Sequence, residues 1–261
     1  MSAVIPLTPS EIHVWLSFWD GITDENLHDV YRELLSSDER RQENRFYFAK
    51  DRCRYLVSRA LVRTVLSRYL CIEPQDWEFS RNTFGRPEIA NRAARPARLS
   101  FNLSHTQNLV ALGVTRSREV GVDIEHLQAR AVATEIADRY FAEEEAAALR
   151  AVPPESKQFR FFEYWTLKES YIKARGMGMS LSLDKFSFHF SDAQAIEMTI
   201  SSELDDDPSR WQFWQFRPAP EYMLAICAER VGVQASQVIF RQVIPMLSEE
   251  VVDGPCVRAS R

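Results

Sequence analysis

The sequence predicts an α+β protein built as two lobes of similar plan, with a ligand site in the cleft between them. Three observations carry this. Each half of the 261-residue chain opens on a strand pattern, continues with helical periodicity and finishes on strands; no residue-level repeat accompanies the shared plan. Hydrophobic residues make up 45% of the chain, enough apolar mass for a substantial core. The residues that can do chemistry fall in short blocks spread over both halves, and a cleft between lobes is a common place for a ligand.

Taken in order, Val14–Trp19 reads as a strand, and Thr23 or Asp24 caps a helix running to about Leu35. Ser37-Asp38 opens a second helical stretch. From Lys50 to Leu70, Leu56, Ala60, Val62, Leu66 and Leu70 recur near helical spacing with arginines on the other faces. Pro74 ends that helix, and Trp77–Phe79 is a short strand. Phe84-Gly85-Arg86-Pro87 is a turn that holds a basic side chain at a fixed place.

Leu99 to His105 alternates, with Leu99, Phe101 and Leu103 on one face and Ser100, Asn102 and Ser104 on the other. Leu109–Val114 is the next strand. In Val120–Glu125, the residues Val120, Val122 and Ile124 share one face while Gly121, Asp123 and Glu125 share the other. Helices follow from Thr134 to Tyr140, from Glu143 to Arg150 and from about Glu155 to Arg175, the last stopped by Gly176 and Gly178. Strands are expected at Phe186–Phe190, Ile196–Ile200, Trp211–Phe216, Tyr222–Ala228 and Val238–Val243. This divides the chain into an N-terminal lobe, residues 1–118, a C-terminal lobe, 119–247, and a loosely ordered tail, 248–261, around Asp253-Gly254-Pro255.

A net charge of −5 argues against a general nucleic-acid binder. The charge is uneven, however. Arginines and lysines crowd residues 40–68 and 81–98, whereas Glu143-Glu144-Glu145 and Asp205-Asp206-Asp207 lie later. A basic N-terminal half suits an anionic ligand or an acidic protein partner, and equally a solvated arginine-rich face. No apolar run approaches the roughly 18–20 residues that cross a bilayer. The first residues, with Glu11 and Asp20, do not read as a signal peptide. Cys53, Cys71, Cys227 and Cys256 are widely spaced and form no CxxC pair, which points to reduced thiols in the cytoplasm. No GxGxxG or P-loop pattern occurs, and His13, His28, His126 and His189 form no zinc motif.

Two blocks carry the chemistry. In Trp165–Lys173, helical spacing puts Phe162, Trp165, Ile172 and Gly176 on one face with Glu169 in its middle. A carboxylate there needs a cation, either Lys173 one turn on or a metal ion. In Val120–Glu125, Asp123 and Glu125 project side by side, an arrangement that calls for a cation between them or for solvent. Such oxygen donors suit Mg²⁺ with a substrate phosphate completing its shell. Alone, each block fits a plainer reading: a structural Glu–Lys pair, and a solvated edge strand.

Phe84–Pro87, Phe101–His105, Gly121–Glu125, Trp165–Lys173 and Gly176–Leu181, in this order and at this spacing, resemble the two-lobed 4′-phosphopantetheinyl transferases. The likeness runs from about Arg45 to Ala228. It implies two pseudo-duplicated lobes with the active site in the cleft between them. It also implies transfer of the phosphopantetheine arm of coenzyme A to a serine of an acyl or peptidyl carrier protein, releasing 3′,5′-ADP. By residue, it implies that Asp123, Glu125 and Glu169 hold Mg²⁺, that Lys173 meets the pyrophosphate, and that Ser104 and His105 touch coenzyme A phosphates. Arg54 and Arg86 would grip the 3′-phosphate and nucleotide end, Lys168 would be among the coenzyme A contacts, and Glu145 stands at a further family position. A monomer is implied as well, with no nucleic-acid or membrane partner.

The chemistry agrees. Breaking a pyrophosphate bond needs neutralisation of accumulating charge and alignment of the nucleophile. The serine proton goes to Glu169 or to a water on the metal; the residues leave both open. Arg86 stands where Lys is frequent in bacterial relatives, and Arg suits bidentate phosphate contact. A metal-dependent nuclease would share clustered carboxylates with a lysine, but here Lys173 lies on a helix four residues after Glu169 rather than on a strand.

Overall fold

A computed structural model describes residues 4–128, 135–192, 194–232 and 235–260, the side chain of Met179 excepted. In chain order its strands and α-helices begin with β1 (Glu11–Phe18), α1 (Glu25–Leu34), α2 (Ser37–Glu43), α3 (Ala49–Leu66), β2 (Phe79–Arg81) and β3 (Pro87–Ile89). There follow β4 (Leu99–His105), β5 (Leu109–Arg116), β6 (Val120–His126), α4 (Glu135–Tyr140), α5 (Glu143–Arg150) and α6 (Pro154–Arg175). The rest are strands: β7 (Phe186–His189), β8 (Ala195–Ile200), β9 (Trp211–Phe216), β10 (Tyr222–Glu229), β11 (Gln237–Ile244), β12 (Ser248–Val252) and β13 (Cys256–Ser260). The expected start of α4 at Thr134 lies outside the described residues.

The chain forms two compact units. The first comprises Met1–Ser80, Pro87–Ser117 and Ala235–Val252. Its five-stranded sheet runs β12-β11-β1-β5-β4. β1 is central, parallel to β11 and antiparallel to β5, and even its polar residues His13 and Ser17 are buried. His13 Nδ1 and Trp15 Nε1 both meet the Tyr69 hydroxyl, at 2.9 and 2.8 Å, which satisfies polar groups that would otherwise be costly inside the sheet. Leu56, Val57, Ala60, Leu61 and Val65 of α3 join Trp15, Leu112 and Val114 in the core. The helices start where side chains satisfy their first amides: Asp24 accepts from Asn26 N, and Ser36 with Glu39 forms a capping box. Not every arginine of α3 faces outward. Arg63 is buried, ion-paired to Glu39 at 2.6 Å and donating to the carbonyls of Pro74 and Trp77.

The second unit comprises Arg81–Arg86, Arg118–Gln234 and Asp253–Arg261. Its six-stranded sheet runs β6-β10-β9-β13-β8-β7. Phe162, Leu167 and Tyr171 of α6 pack with Phe186, Phe188, Trp211, Phe213 and Met223 of the sheet.

Two parts of the sequence-based division differ from this. The strand expected to close the C-terminal lobe is β11, and it pairs with β1 in the first unit, residue Glu11 opposite Gln237. The tail expected to be loose forms two strands: β12 pairs with β11, and β13 lies between β9 and β8. Gly254-Pro255 breaks the chain between them. Both differences have one cause. A strand's pairing partner leaves no mark in its own local periodicity, whether it lies 226 positions away, as Glu11 does from Gln237, or only four, as Ile244 does from Ser248.

Among the described residues no helix is long and apolar enough to cross a membrane. The four cysteines are free thiols.

Candidate functional site

The site is built where α6 lies along β6. Gly121 sets the distance. A Cβ placed on it would fall 1.9 Å from Ser170 O and 2.4 Å from Ala174 N, so only glycine lets the strand backbone come this close to the helix backbone. Since Gly121, Asp123 and Glu125 share one face of β6, all three turn towards α6. Asp123 is buried and takes an ion pair from Lys173 Nζ at 2.7 Å, while the same ammonium donates to Val122 O at 3.1 Å. Glu125 Oε1 accepts from Trp165 Nε1 at 3.2 Å.

Trp165, Glu169 and Lys173 stand at i, i+4 and i+8 on α6, each about 6 Å of helix rise from the next. Asp123 and Glu125 are about 6.5 Å apart along their strand. With Lys173 on Asp123 and Trp165 on Glu125, Glu169 at the midpoint faces the interval between the two strand carboxylates. Its titration agrees: burial raises the Glu169 pKa, the Asp123 charge raises it further, and Lys173 opposes both. β6 and α6 thus bring three carboxylates and one ammonium to one locality.

Several expectations change. Glu169 does not lie in the middle of the buried face. From Phe161 to Ala174 nearly every other side of α6 is buried, and Trp165, Glu169 and Lys173 are half-buried along one stripe. A helix enclosed on most sides has no single apolar face for periodicity to find. Lys173 pairs directly with Asp123 rather than with Glu169, because its ammonium reaches across to the strand. Nor do Asp123, Glu125 and Glu169 stand as a ready-made metal cluster. Among the described residues no group of three or more His, Cys, Asp or Glu side chains is arranged to hold an ion.

Lys168, expected among the coenzyme A contacts, is fully buried. Its ammonium meets Glu145 Oε2, Leu183 O and Phe186 O, each at 2.7 Å, which uses all three of its protons. Glu145 is buried too and also accepts from Phe188 N at 2.9 Å. Burial pushes the Glu145 pKa up and the Lys168 pKa down, and each charge pulls the other back. The pair ties α5 and the start of β7 to α6. It leaves Lys168 no proton for a ligand.

Arg86 sits in a turn organised by Asn82, whose Oδ1 accepts from Phe84 N and Arg86 N and whose Nδ2 donates to Gly176 O at 2.9 Å. The Arg86 guanidinium donates to Ala174 O at 3.0 Å and pairs with Glu119 at 2.7 Å. A cation on the last carbonyls of α6 is favourable against the helix dipole. Gly176, at φ +65°, ends the helix left-handed, and a Cβ there would press on Arg86 Cδ at 3.0 Å.

In the first unit, Arg54 pairs with Asp51 at 3.0 Å, one turn away on α3. Ser104 near the end of β4 is buried, as is Asn102, so the polar face of that strand is covered rather than solvated. His105 is exposed. A cavity of about 450 Å³ opens between the C-terminal end of α3 and the β11–β12 turn, lined by Trp15, Val65, Leu70 and Ile244. It contains none of the expected site residues. Thr64, the first residue of α3 on its lining, lies ten positions beyond Arg54, about 15 Å of helix.

Sequence reading missed the Trp165 indole as a polar partner of Glu125. The signal was its place four residues before Glu169, hidden by counting Trp165 as apolar. It also missed Asp206, whose carboxylate accepts from Tyr171 Oη at 2.6 Å, Trp211 Nε1 at 2.8 Å and Arg175 Nη1 at 2.5 Å and so holds the far side of the last turns of α6.

Two family models match. One, described as the 4′-phosphopantetheinyl transferase superfamily, covers residues 119–227. The other, described as 4′-phosphopantetheinyl transferase, N-terminal, covers residues 18–117. The 4′-phosphopantetheinyl transferase HetI of Nostoc sp. (strain PCC 7120) is 34% identical over 88% of this chain and 92% of its own. The 4′-phosphopantetheinyl transferase Sfp of Bacillus subtilis (strain 168) is 31% identical over 81% of this chain and 89% of its own. A phosphopantetheinyl transferase of Thraustochytrium sp. is 33% identical over 73% and 69%. Models for both halves match in sequence order, and relatives align over most of their length; the chain belongs to the 4′-phosphopantetheinyl transferase family as a two-lobed member of that enzyme class.

Proposed function

We propose that this protein transfers the 4′-phosphopantetheine arm of coenzyme A to a serine of an acyl or peptidyl carrier protein, uses Mg²⁺, and releases 3′,5′-ADP. One observation supports the reading most: the Asp123–Glu125 face of β6 lies against the Trp165–Glu169–Lys173 stripe of α6. The names of its relatives agree with it.

The donor set fits a hard divalent cation. It consists of carboxylate oxygens alone, and the Asp123 charge makes ionisation of Glu169 harder, a strain that a second positive charge would relieve. Asp123, Glu125 and Glu169 would hold the ion, which when bound supplies charge neutralisation at the diphosphate. The remaining work falls to the chain. Trp165 holds Glu125 in place through its indole N–H. Lys173, already beside Asp123, is the cation available to the diphosphate as negative charge accumulates there. The proton of the carrier serine passes to Glu169 as the serine oxygen attacks phosphorus. The bond to the leaving phosphate breaks, and 3′,5′-ADP departs. Arg54, Ser104, His105 and Arg86 are proposed contacts to the nucleotide and its phosphates. We place the enzyme in the cytoplasm as a monomer, in keeping with its free thiols.

The test is mass spectrometry of apo carrier proteins from fatty-acid, polyketide and nonribosomal-peptide pathways after incubation with coenzyme A and Mg²⁺. Gain of one phosphopantetheine on at least one carrier is expected. No gain on any of them, with the carriers shown competent in a control reaction, would overturn the reading.

A further inference from the structure

Arg86 is held from two sides. Inside, its Nη1 donates to Ala174 O at 3.0 Å. Outside, its Nη2 pairs with a single oxygen of Glu119 at 2.7 Å. The Arg86 side chain is only 13% exposed and that of Glu119 is 42% exposed, so an anion arriving from solvent meets the guanidinium on the side that Glu119 covers. Arg86 Nε is buried with no hydrogen-bond partner among the described residues. A guanidinium is a strong partner for a phosphate oxygen as well as for a carboxylate. Nη2 also lies 3.5 Å from Val120 O. Glu119 therefore occupies the solvent side of the guanidinium, the side from which an anion would reach it.

We infer that Glu119 is an affinity-determining residue: its carboxylate occupies the place at Arg86 that a ligand phosphate must take, so binding is an exchange of carboxylate for phosphate. On the proposed function, on which this inference rests, that phosphate is the 3′-phosphate of coenzyme A. One guanidinium cannot serve two anions without repulsion between them. The phosphate wins the exchange because it carries more charge. Glu119, already open to water, is rehydrated at little cost when it leaves. Each binding event must nevertheless break the Arg86–Glu119 pair, and this weakens the enzyme's grip on any ligand bearing the phosphate. A ligand without it leaves the pair undisturbed.

The test compares wild type, Glu119→Gln, Arg86→Ala and the double variant by calorimetric titration with 3′,5′-ADP and with 5′-ADP, after circular dichroism shows each to be folded. Glu119→Gln should bind 3′,5′-ADP about 3- to 5-fold more tightly, the size of a partly exposed ion pair. Its 5′-ADP affinity should not move, and its KM for coenzyme A should fall by the same factor with kcat unchanged. The gain should shrink at high salt and vanish when Arg86 is also Ala. If Glu119→Gln binds 3′,5′-ADP no better or less well while Arg86→Ala still weakens it, the exchange is wrong and the assignment of Arg86 stands. If Arg86→Ala leaves the preference for 3′,5′-ADP over 5′-ADP intact, the assignment of Arg86 fails and the inference falls with it.

Discussion

Trp165 shows how much one hydrogen bond contributes at the site. Its ring stacks on Phe161 at 5.7 Å and near Phe141 at 6.4 Å, so most of its packing is apolar. Only its N–H reaches Glu125. Trp165→Phe keeps the stack and loses the donor. We expect a stability cost of only about 1 kcal/mol but a fall of about 10-fold in transfer rate, since Glu125 loses its orientation. Urea denaturation and a single-turnover assay read the two separately; equal fractional losses would assign Trp165 to stability alone. His13 gives the pH dependence. Burial and Arg241 lower its pKa from 6.5 to about 4, against an opposing Glu11. A buried base with a depressed pKa stays neutral in the fold while the unfolded chain takes up a proton below 6.5, so its contribution is complete above that pH and is lost as pH falls towards 4. The loss amounts to roughly 3 kcal/mol at 1.36 kcal/mol per unit. His13→Gln should remove this acid sensitivity: its deficit against wild type in urea denaturation at pH 7 should shrink by about that much at pH 4. A deficit that stays constant with pH would contradict the assignment.

At the scale of the element, the contact of β6 with α6 decides whether a site exists. Gly121→Ala would drive a methyl group into the Ser170 carbonyl, which is helix backbone and cannot swing aside. A destabilisation of about 3 kcal/mol follows, together with loss of transfer even where the protein is still folded, because the strand carrying Asp123 and Glu125 must move off the helix. Thermal melts and activity at low temperature measure both, and an unchanged melting temperature would refute the close packing. Much of this element was legible. The alternation in Val120–Glu125 placed Gly121, Asp123 and Glu125 on one face, and the structure turns that face to α6. The helix itself was found to within a residue at its start. Its orientation was not, because periodicity reports a contrast between buried and exposed faces, and α6 has little contrast. Lys168 is the clearest casualty: a lysine in a motif looks available to a ligand, and nothing local announces that Glu145, 23 residues earlier, will bury it.

For the whole molecule, the α+β class and a two-part division were readable, since each follows from local pattern and composition. The paths of β11, β12 and β13 were not. The last 25 described residues contribute strands to both sheets, the first two to the sheet of β1 and the third between β9 and β8. Short, charged stretches such as Ser248–Val252 become strands only because a partner edge receives them. The candidate site escapes this difficulty. Its acidic centre uses two neighbouring elements of one unit, so motif spacing carried most of it, whereas the partners of Arg86 had to be seen.

The claim at the centre is that Asp123, Glu125 and Glu169 act together on one divalent ion. The measurement that bears on it most directly is the rate of phosphopantetheine transfer to an apo carrier protein as a function of Mg²⁺ for wild type, Asp123→Asn, Glu125→Gln and Glu169→Gln. The account predicts that each variant folds, loses about 100-fold or more of the wild-type rate, and needs more Mg²⁺ to reach what remains. Any one of the three turning over at the wild-type rate with an unshifted Mg²⁺ requirement would contradict it.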